Sequence, residues 1–259
     1  MNYYWLEAGE SKQTPTTQDK CLFVSHPFPV PRLTCPFCAD TWAEYRTIPV
    51  VCPGEFRFSL AKRMGSPLGL SEHNDLVLDI TRKAGLPFPV IRPGNCLMPS
   101  IFGKPLRSGD FIWSSQASIL VSDRLKTLFE REEIKGAYFF VPVLLDSGTE
   151  SEFKMAVYKQ TELLIARASE SVPEGWWELV VQSVLNLPEM TLCDFVCKEC
   201  RRGAAKIPGS RVLSLVAGLD IARLTGRNRI LASERLKHLL EREGFTDVIC
   251  EKNYAHCET

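Results

Sequence analysis

The sequence predicts an α+β fold: a mixed sheet carrying two similar strand–helix–strand units, with two cysteine pairs tying an early segment of the chain to a late one. Three observations predict it. An eleven-residue helical segment occurs twice at an offset of 111 residues, with eight identities. Elsewhere, apolar residues alternate in short runs, which is the period of a strand. Cys35-Pro36-Phe37-Cys38 and Cys197-Lys198-Glu199-Cys200 repeat one spacing at distant points of the chain.

Composition bounds the reading. With 259 residues, 45% hydrophobic and 24% charged, the chain can bury a sizeable core, and disorder is excluded as its main state. Lys+Arg and Asp+Glu both number 31, so no global field draws the chain to nucleic acid or to an anionic membrane. The opening residues lack the basic and apolar regions of a signal peptide. No apolar run reaches the ~18 residues that span a bilayer. A cytoplasmic protein without a membrane partner is expected. In that reducing compartment the ten cysteines are packed thiols or metal ligands, not disulfides.

Four segments of one integrated domain are expected. Residues 1–60 are rich in Pro and Cys and show little helical period. Within them His26-Pro27-Phe28-Pro29-Val30-Pro31 must be extended, because each proline fixes its own φ and biases the residue before it. Residues 61–109 hold a helix and a connector. The helix runs from about Glu72 to Ala84, with Ser71 as cap and Leu76, Val77, Ile80 and Ala84 as its apolar stripe. Gly85 and Pro87 end it, and the Pro- and Gly-rich residues 86–109 read as a loop. Residues 110–192 form the first α/β unit; residues 193–259 hold the second cysteine pair and the second unit.

The repeat is Ser122-Asp123-Arg124-Leu125-Lys126-Thr127-Leu128-Phe129-Glu130-Arg131-Glu132, matched by Ser233-Glu234-Arg235-Leu236-Lys237-His238-Leu239-Leu240-Glu241-Arg242-Glu243. Ser122 and Ser233 are expected as N-caps, and the acidic residue after each favours the helix dipole. Ile119-Leu120 and Ile230-Leu231 precede the helices. Gly136 and Gly244 follow them, before β-rich runs at Ala137–Val141 and Val248–Cys250. Asp110 and Asp220 lead the units, one residue out of step. A right-handed crossover predicts each helix over a pair of adjacent parallel strands. Phe153, Met155 and Val157, then Trp177, Leu179 and Val181, alternate as two further strands.

The cysteine pairs carry the chemistry. Zinc takes four tetrahedral ligands, and a two-residue spacer lets one turn offer two thiolates. Cys35, Cys38, Cys197 and Cys200 are therefore the candidate ligands of a structural Zn2+. The 158 residues between the pairs make this a clasp closing the chain, not a compact ribbon. Cys52 and Cys193 lie near enough in sequence to replace a ligand. A redox dithiol at Cys35 and Cys38 is the competing chemistry, but that motif should open a helix after a strand.

No other motif calls for catalysis. There is no phosphate-binding glycine loop, no Gly-x-Ser-x-Gly and no His-x-Glu beside Pro-Cys-x-x-Cys, so no enzyme is expected. His26, His73, His238 and His256 share no pattern; His238 falls on the solvent side of the repeat. Arg201, Arg202, Lys206, Arg211, Arg223, Arg227 and Arg229 form a local basic run. It supports the alternative of a zinc-dependent nucleic-acid-binding protein, which the zero net charge disfavours.

The chain resembles the double-CXXCG motif family of myxobacterial Sit-type immunity proteins from polymorphic toxin systems. The likeness rests on Cys35-Pro36-Phe37-Cys38 followed by Thr41-Trp42 and on Cys197 with Cys200. It rests also on Asp220-Ile221-Ala222-Arg223-Leu224 leading into Ile230-Leu231-Ala232-Ser233-Glu234-Arg235. The family's glycine after each pair is Ala39 and Arg201 here. The resemblance implies a protein that binds one cognate toxin in the cytoplasm and blocks it by occlusion. Trp113, Trp176 and Tyr138 are candidate anchors, since Trp and Tyr concentrate at interface hot spots.

Overall fold

The computed structural model describes residues 3–8, 23–44, 46–63, 66–86, 91–103, 109–114, 118–146, 149, 151–157, 175–184, 197, 199–200, 218–224, 230–245 and 247–252. The chain is mixed α and β, with one five-stranded, one four-stranded and three three-stranded sheets among these residues. The helices among the described residues are α1 (Gly54–Lys62), α2 (Leu70–Lys83), α3 (Asp123–Arg131), α4 (151–157) and α5 (Glu234–Arg242). No helix among the described residues is long and apolar enough to cross a membrane.

The repeated segments fold alike. Ser122 Oγ accepts the Leu125 N–H and Ser233 Oγ accepts the Leu236 N–H, so both serines cap as expected. Leu125, Leu128 and Phe129 of α3 and Leu236, Leu239 and Leu240 of α5 are buried in one shared cluster. That stripe follows from leucines spaced three apart with an apolar neighbour.

The crossover differs from expectation. Ile119–Ser122 and Ala137–Phe140 are parallel to each other but not adjacent, because Trp176–Val181 lies between them and pairs antiparallel with both. In the other sheet, Tyr3–Ala8 lies in the same way between Ile230–Ser233 and Val248–Lys252. Each helix thus crosses over an inserted antiparallel strand. Antiparallel pairing is somewhat more stable per residue, and the inserted strand supplies it on both sides.

Five further elements depart from the sequence reading. Helix α2 begins at Leu70 with Gly69 as N-cap, so Ser71 lies within the first turn and caps nothing. Helix α1 falls in a stretch expected to lack helix. Cys96–Met98 and Ile101–Gly103 are fully buried strands inside the expected 86–109 loop. The run Phe153, Met155, Val157 is helical, not a strand. Its cause is a capping box: Thr149 Oγ1 accepts the Glu152 N–H, and Glu152 Oε2 accepts the Thr149 N–H. Phe153 is buried against Phe23, while Met155 is exposed.

A second core lies under α1 and α2. Phe28, Val30, Ile48, Val50, Leu60, Val77, Ile80 and Leu97 build it. The extended Pro-rich run contributes Phe28–Pro29, which pairs with Cys96–Met98. Strand pairings therefore join residues 1–60 both to 61–109 and to 230–252.

Candidate metal centre

A short hairpin builds the first half of the centre. Leu33–Thr34 pairs antiparallel with Thr41–Trp42 and parallel with Leu68–Gly69, the strand that enters α2. Thr34 and Thr41 share a hydroxyl hydrogen bond of 2.8 Å across the hairpin. The Cys35 N–H donates to the Asp40 carbonyl at 3.0 Å and closes the loop. To close so tightly, the loop takes Ala39 into the left-handed region, φ 57°. Glycine is the residue suited to that conformation.

The hairpin presents Cys35 and Cys38 to Cys197 and Cys200. All four sulfurs lie within 4.8 Å of one another. Cys35 Sγ is 3.7 Å from Cys197 Sγ, and Cys38 Sγ is 3.8 Å from Cys200 Sγ. These distances exclude bonded disulfides, whose S–S length is about 2.05 Å. They fit a metal instead: a tetrahedron with Zn–S arms of about 2.3 Å has edges of about 3.8 Å. Four thiols, one of each pair facing one of the other, suit a zinc ion.

The surroundings favour the thiolate at Cys35 and oppose it at Cys38. Burial alone raises the Cys35 thiol, but the N–H groups of Cys38 and Phe37, with the thiols of Cys38 and Cys200, outweigh it and bring it from 9.0 down to about 7. At Cys38 the Asp40 N–H favours the thiolate, yet burial and the neighbouring Cys35 and Cys197 leave the group raised. The thiolate is the metal-binding form, so backbone N–H groups aimed at sulfur prepare the pocket. Around it Leu33, Trp42 and Leu70 make an apolar shell over buried Cys35 and Cys200. Phe37, between the two cysteines of the knuckle, is 68% exposed.

The other thiols stand apart. Cys52 is buried in the core under α1 and α2, and burial pushes it up to about 12. It is no ligand of this cluster. Burial also lifts Cys96 to about 12 and Cys250 to about 11. Cys193 lies outside the described residues, as do Arg201, Arg202, Lys206, Arg211, Arg227 and Arg229. Arg223 is described and is buried, so it belongs to the interior and not to a basic surface. Of the candidate anchors, Trp113 and Trp176 pack on buried clusters, and Tyr138 is 41% exposed. His238 is exposed beside Glu241.

Sequence reasoning missed one polar cluster. His26 Nδ1 lies 2.9 Å from Ser100 Oγ, and Nε2 lies 3.3 Å from Ser118 Oγ. Ser100 Oγ donates to Glu178 Oε1 at 2.9 Å. Burial holds His26 down at about 4. It pushes Glu178 up to about 8, against the Ser100 hydrogen bonds and the Arg223 charge that favour its anion. The same burial lowers Arg223 to about 10, with Arg46 adding repulsion. Both ring nitrogens of His26 meet serines, and Ser100 gives its proton to Glu178. That is not the nucleophile–base–carboxylate order of acyl-transfer catalysis. The cluster is a buried seam joining residues 26, 100, 118, 178 and 223, whose spacing offers no pattern to read.

Comparison with protein-family models and with curated proteins finds no match for the chain.

Proposed function

We propose that the chain is an immunity-type binding protein, stabilised by a structural zinc on Cys35, Cys38, Cys197 and Cys200, that occludes one cognate toxin domain in the cytoplasm. The observation that carries the metal reading is the pair of sulfur–sulfur edges, 3.7 and 3.8 Å, at tetrahedral length. With four thiolates the ion has no open position, so its role is to hold the hairpin 33–42 against residues 197–200. The partner follows from the resemblance to the double-CXXCG family. Among the described residues Phe37 at the loop tip, Phe58 on α1 and Tyr138 on an edge strand are exposed aromatic residues; Phe37 and Tyr138 are the proposed anchors.

The test has two parts. Purified chain carries one zinc, and Cys35→Ser with Cys200→Ser loses it and unfolds at lower temperature; full retention of zinc in that variant refutes the ligand set. Tagged chain recovers a single stoichiometric protein, which is toxic when expressed alone and harmless when co-expressed. Recovery of nucleic acid in place of a toxic protein removes the immunity reading.

A further inference from the structure

The four strands of the sheet that carries α3 correspond to four of the five in the sheet that carries α5; Ser183–Val184, at the edge of the latter, has no counterpart. Ile119–Ser122, α3 and Ala137–Phe140 match Ile230–Ser233, α5 and Val248–Lys252 at one offset, 111. Phe111–Trp113 and Ile221–Leu224 flank them at an offset of 110. Five residues separate Trp113 from Ile119 where six separate Arg223 from Ile230, which accounts for the difference. The fourth strand breaks the chain order. In one sheet it is Trp176–Val181, which follows the unit; in the other it is Tyr3–Ala8, which comes before its unit in the chain.

The registers make Trp177 and Tyr4 equivalent, opposite Val121 and Ala232. Their contacts agree. Lys126 Nζ lies over the Trp177 ring and Lys237 Nζ over the Tyr4 ring, at 4.4 and 5.0 Å. The indole N–H donates to Asp123 and the phenol to Glu234, each the first residue of its helix. Asp110 joins Ser122 and Arg124 as Asp220 joins Ser233 and Arg235.

Contacts between the halves are reciprocal. Arg124 donates to the Glu243 carbonyl, and Arg235 donates to the Glu132 carbonyl. Arg131 pairs with Glu243, and Arg242 pairs with Glu132. Two further bonds join the halves without matching each other: the Lys135 N–H donates to the Asp220 carboxylate, and the Asp110 N–H donates to the Asp247 carboxylate. Residue i meeting j′ while i′ meets j is the signature of a two-fold interface. One difference is that Arg124 also lies over Phe245, whose counterpart is Ile134.

We propose that the chain is a fused, permuted dimer of one four-stranded module, and that its first strand is the element that completes the second copy. The geometry permits the unpermuted order. Lys252 stands opposite Tyr4, so the end of one strand lies beside the start of the other. Antiparallel neighbours need a connection of only about two residues, and residues 253–259 exceed that.

Moving residues 1–8 to follow Thr259 tests the proposal. The permutant is expected to show one cooperative melting transition and the zinc content of the parent chain. In the full unpermuted chain, Arg124→Met and Arg235→Met are each expected to lower Tm by about 3–6 °C, with Arg124→Met slightly larger. A permutant that does not fold overturns the permuted order. An arginine variant that leaves Tm unmoved while its counterpart lowers it overturns the two-fold interface.

Discussion

Glu133 is an exposed residue in the left-handed region, φ 50°, just past the end of α3. Its counterpart past α5 is Gly244, φ 72°. Both close the same C-terminal motif: the Ile134 N–H reaches the Phe129 carbonyl, and the Phe245 N–H reaches the Leu240 carbonyl. A side chain in that conformation costs about 1–2 kcal/mol. Glu133→Gly is therefore expected to raise stability by about 1 kcal/mol and Tm by about 2–4 °C, read by thermal melting. Gly136, which the sequence suggested as the partner of Gly244, has a different task. It carries φ 97°, and a Cβ there would stand 2.0 Å from the Ile221 carbonyl oxygen. That oxygen is backbone and cannot swing away. Gly136→Ala is expected to cost about 2–4 kcal/mol in chemical denaturation, combining backbone strain with overpacking. A loss below about 1 kcal/mol shows that the strand moves freely there.

At the scale of the element, what the sequence discloses is what local chemistry decides. The helices with a side-chain cap and a leucine stripe were legible at both copies. Ser122 and Ser233 each satisfy an otherwise orphaned N–H. Ser122→Ala and Ser233→Ala are each expected to lower stability by about 1–2 kcal/mol, measured by urea unfolding. An unchanged urea midpoint in either variant would show that the serine hydroxyl, with its bonds to the helix N–H and to Asp110 or Asp220, does not set that end. Helix α1 was illegible for a physical reason: Pro53 offers no capping side chain, and Phe56, Phe58 and Leu60 alternate as in a strand. Helix α4 hid in the same way, its alternating Phe153, Met155 and Val157 outweighed by the Thr149–Glu152 box. The strands Cys96–Met98 and Ile101–Gly103 are buried on both faces, so they carry no alternation and their prolines and glycines read as loop. The clustering of the two cysteine pairs was legible from their shared spacing; the inserted strands were not, because each pairs with partners far off in sequence.

At the scale of the whole molecule, the thiol centre and the Glu178 seam both join distant segments, and the seam leaves its own mark on pH. Glu178 is 1% exposed, donor-bonded by Ser100 and faced by the charges of Arg223 and, beyond it, Arg46; Cys96 and His26 complete its surroundings. Burial keeps its proton on up to about 8, against 4.5 for an ordinary glutamate. A raised carboxyl contributes stability that is full below the unfolded value and lost as pH climbs from about 4.5 to 8. His26 works oppositely. Its folded value near 4 lies below 6.5, so its contribution is full above 6.5 and lost as pH falls toward 4. Between about 4.5 and 6.5 the two slopes cancel; between about 6.5 and 8 only Glu178 of these two contributes a slope. Stability is expected to fall there with a slope of about 1.4 kcal/mol per pH unit from this group. Glu178→Gln keeps an acceptor for Ser100 but carries no charge to expose. Its stability, followed by urea unfolding at pH 6, 7 and 8, should lack that decline while the parent shows it. Any titration at the thiol centre is common to both proteins and cancels in the difference. Parallel profiles for parent and variant would mean that Glu178 is already ionised in the fold, paired with Arg223.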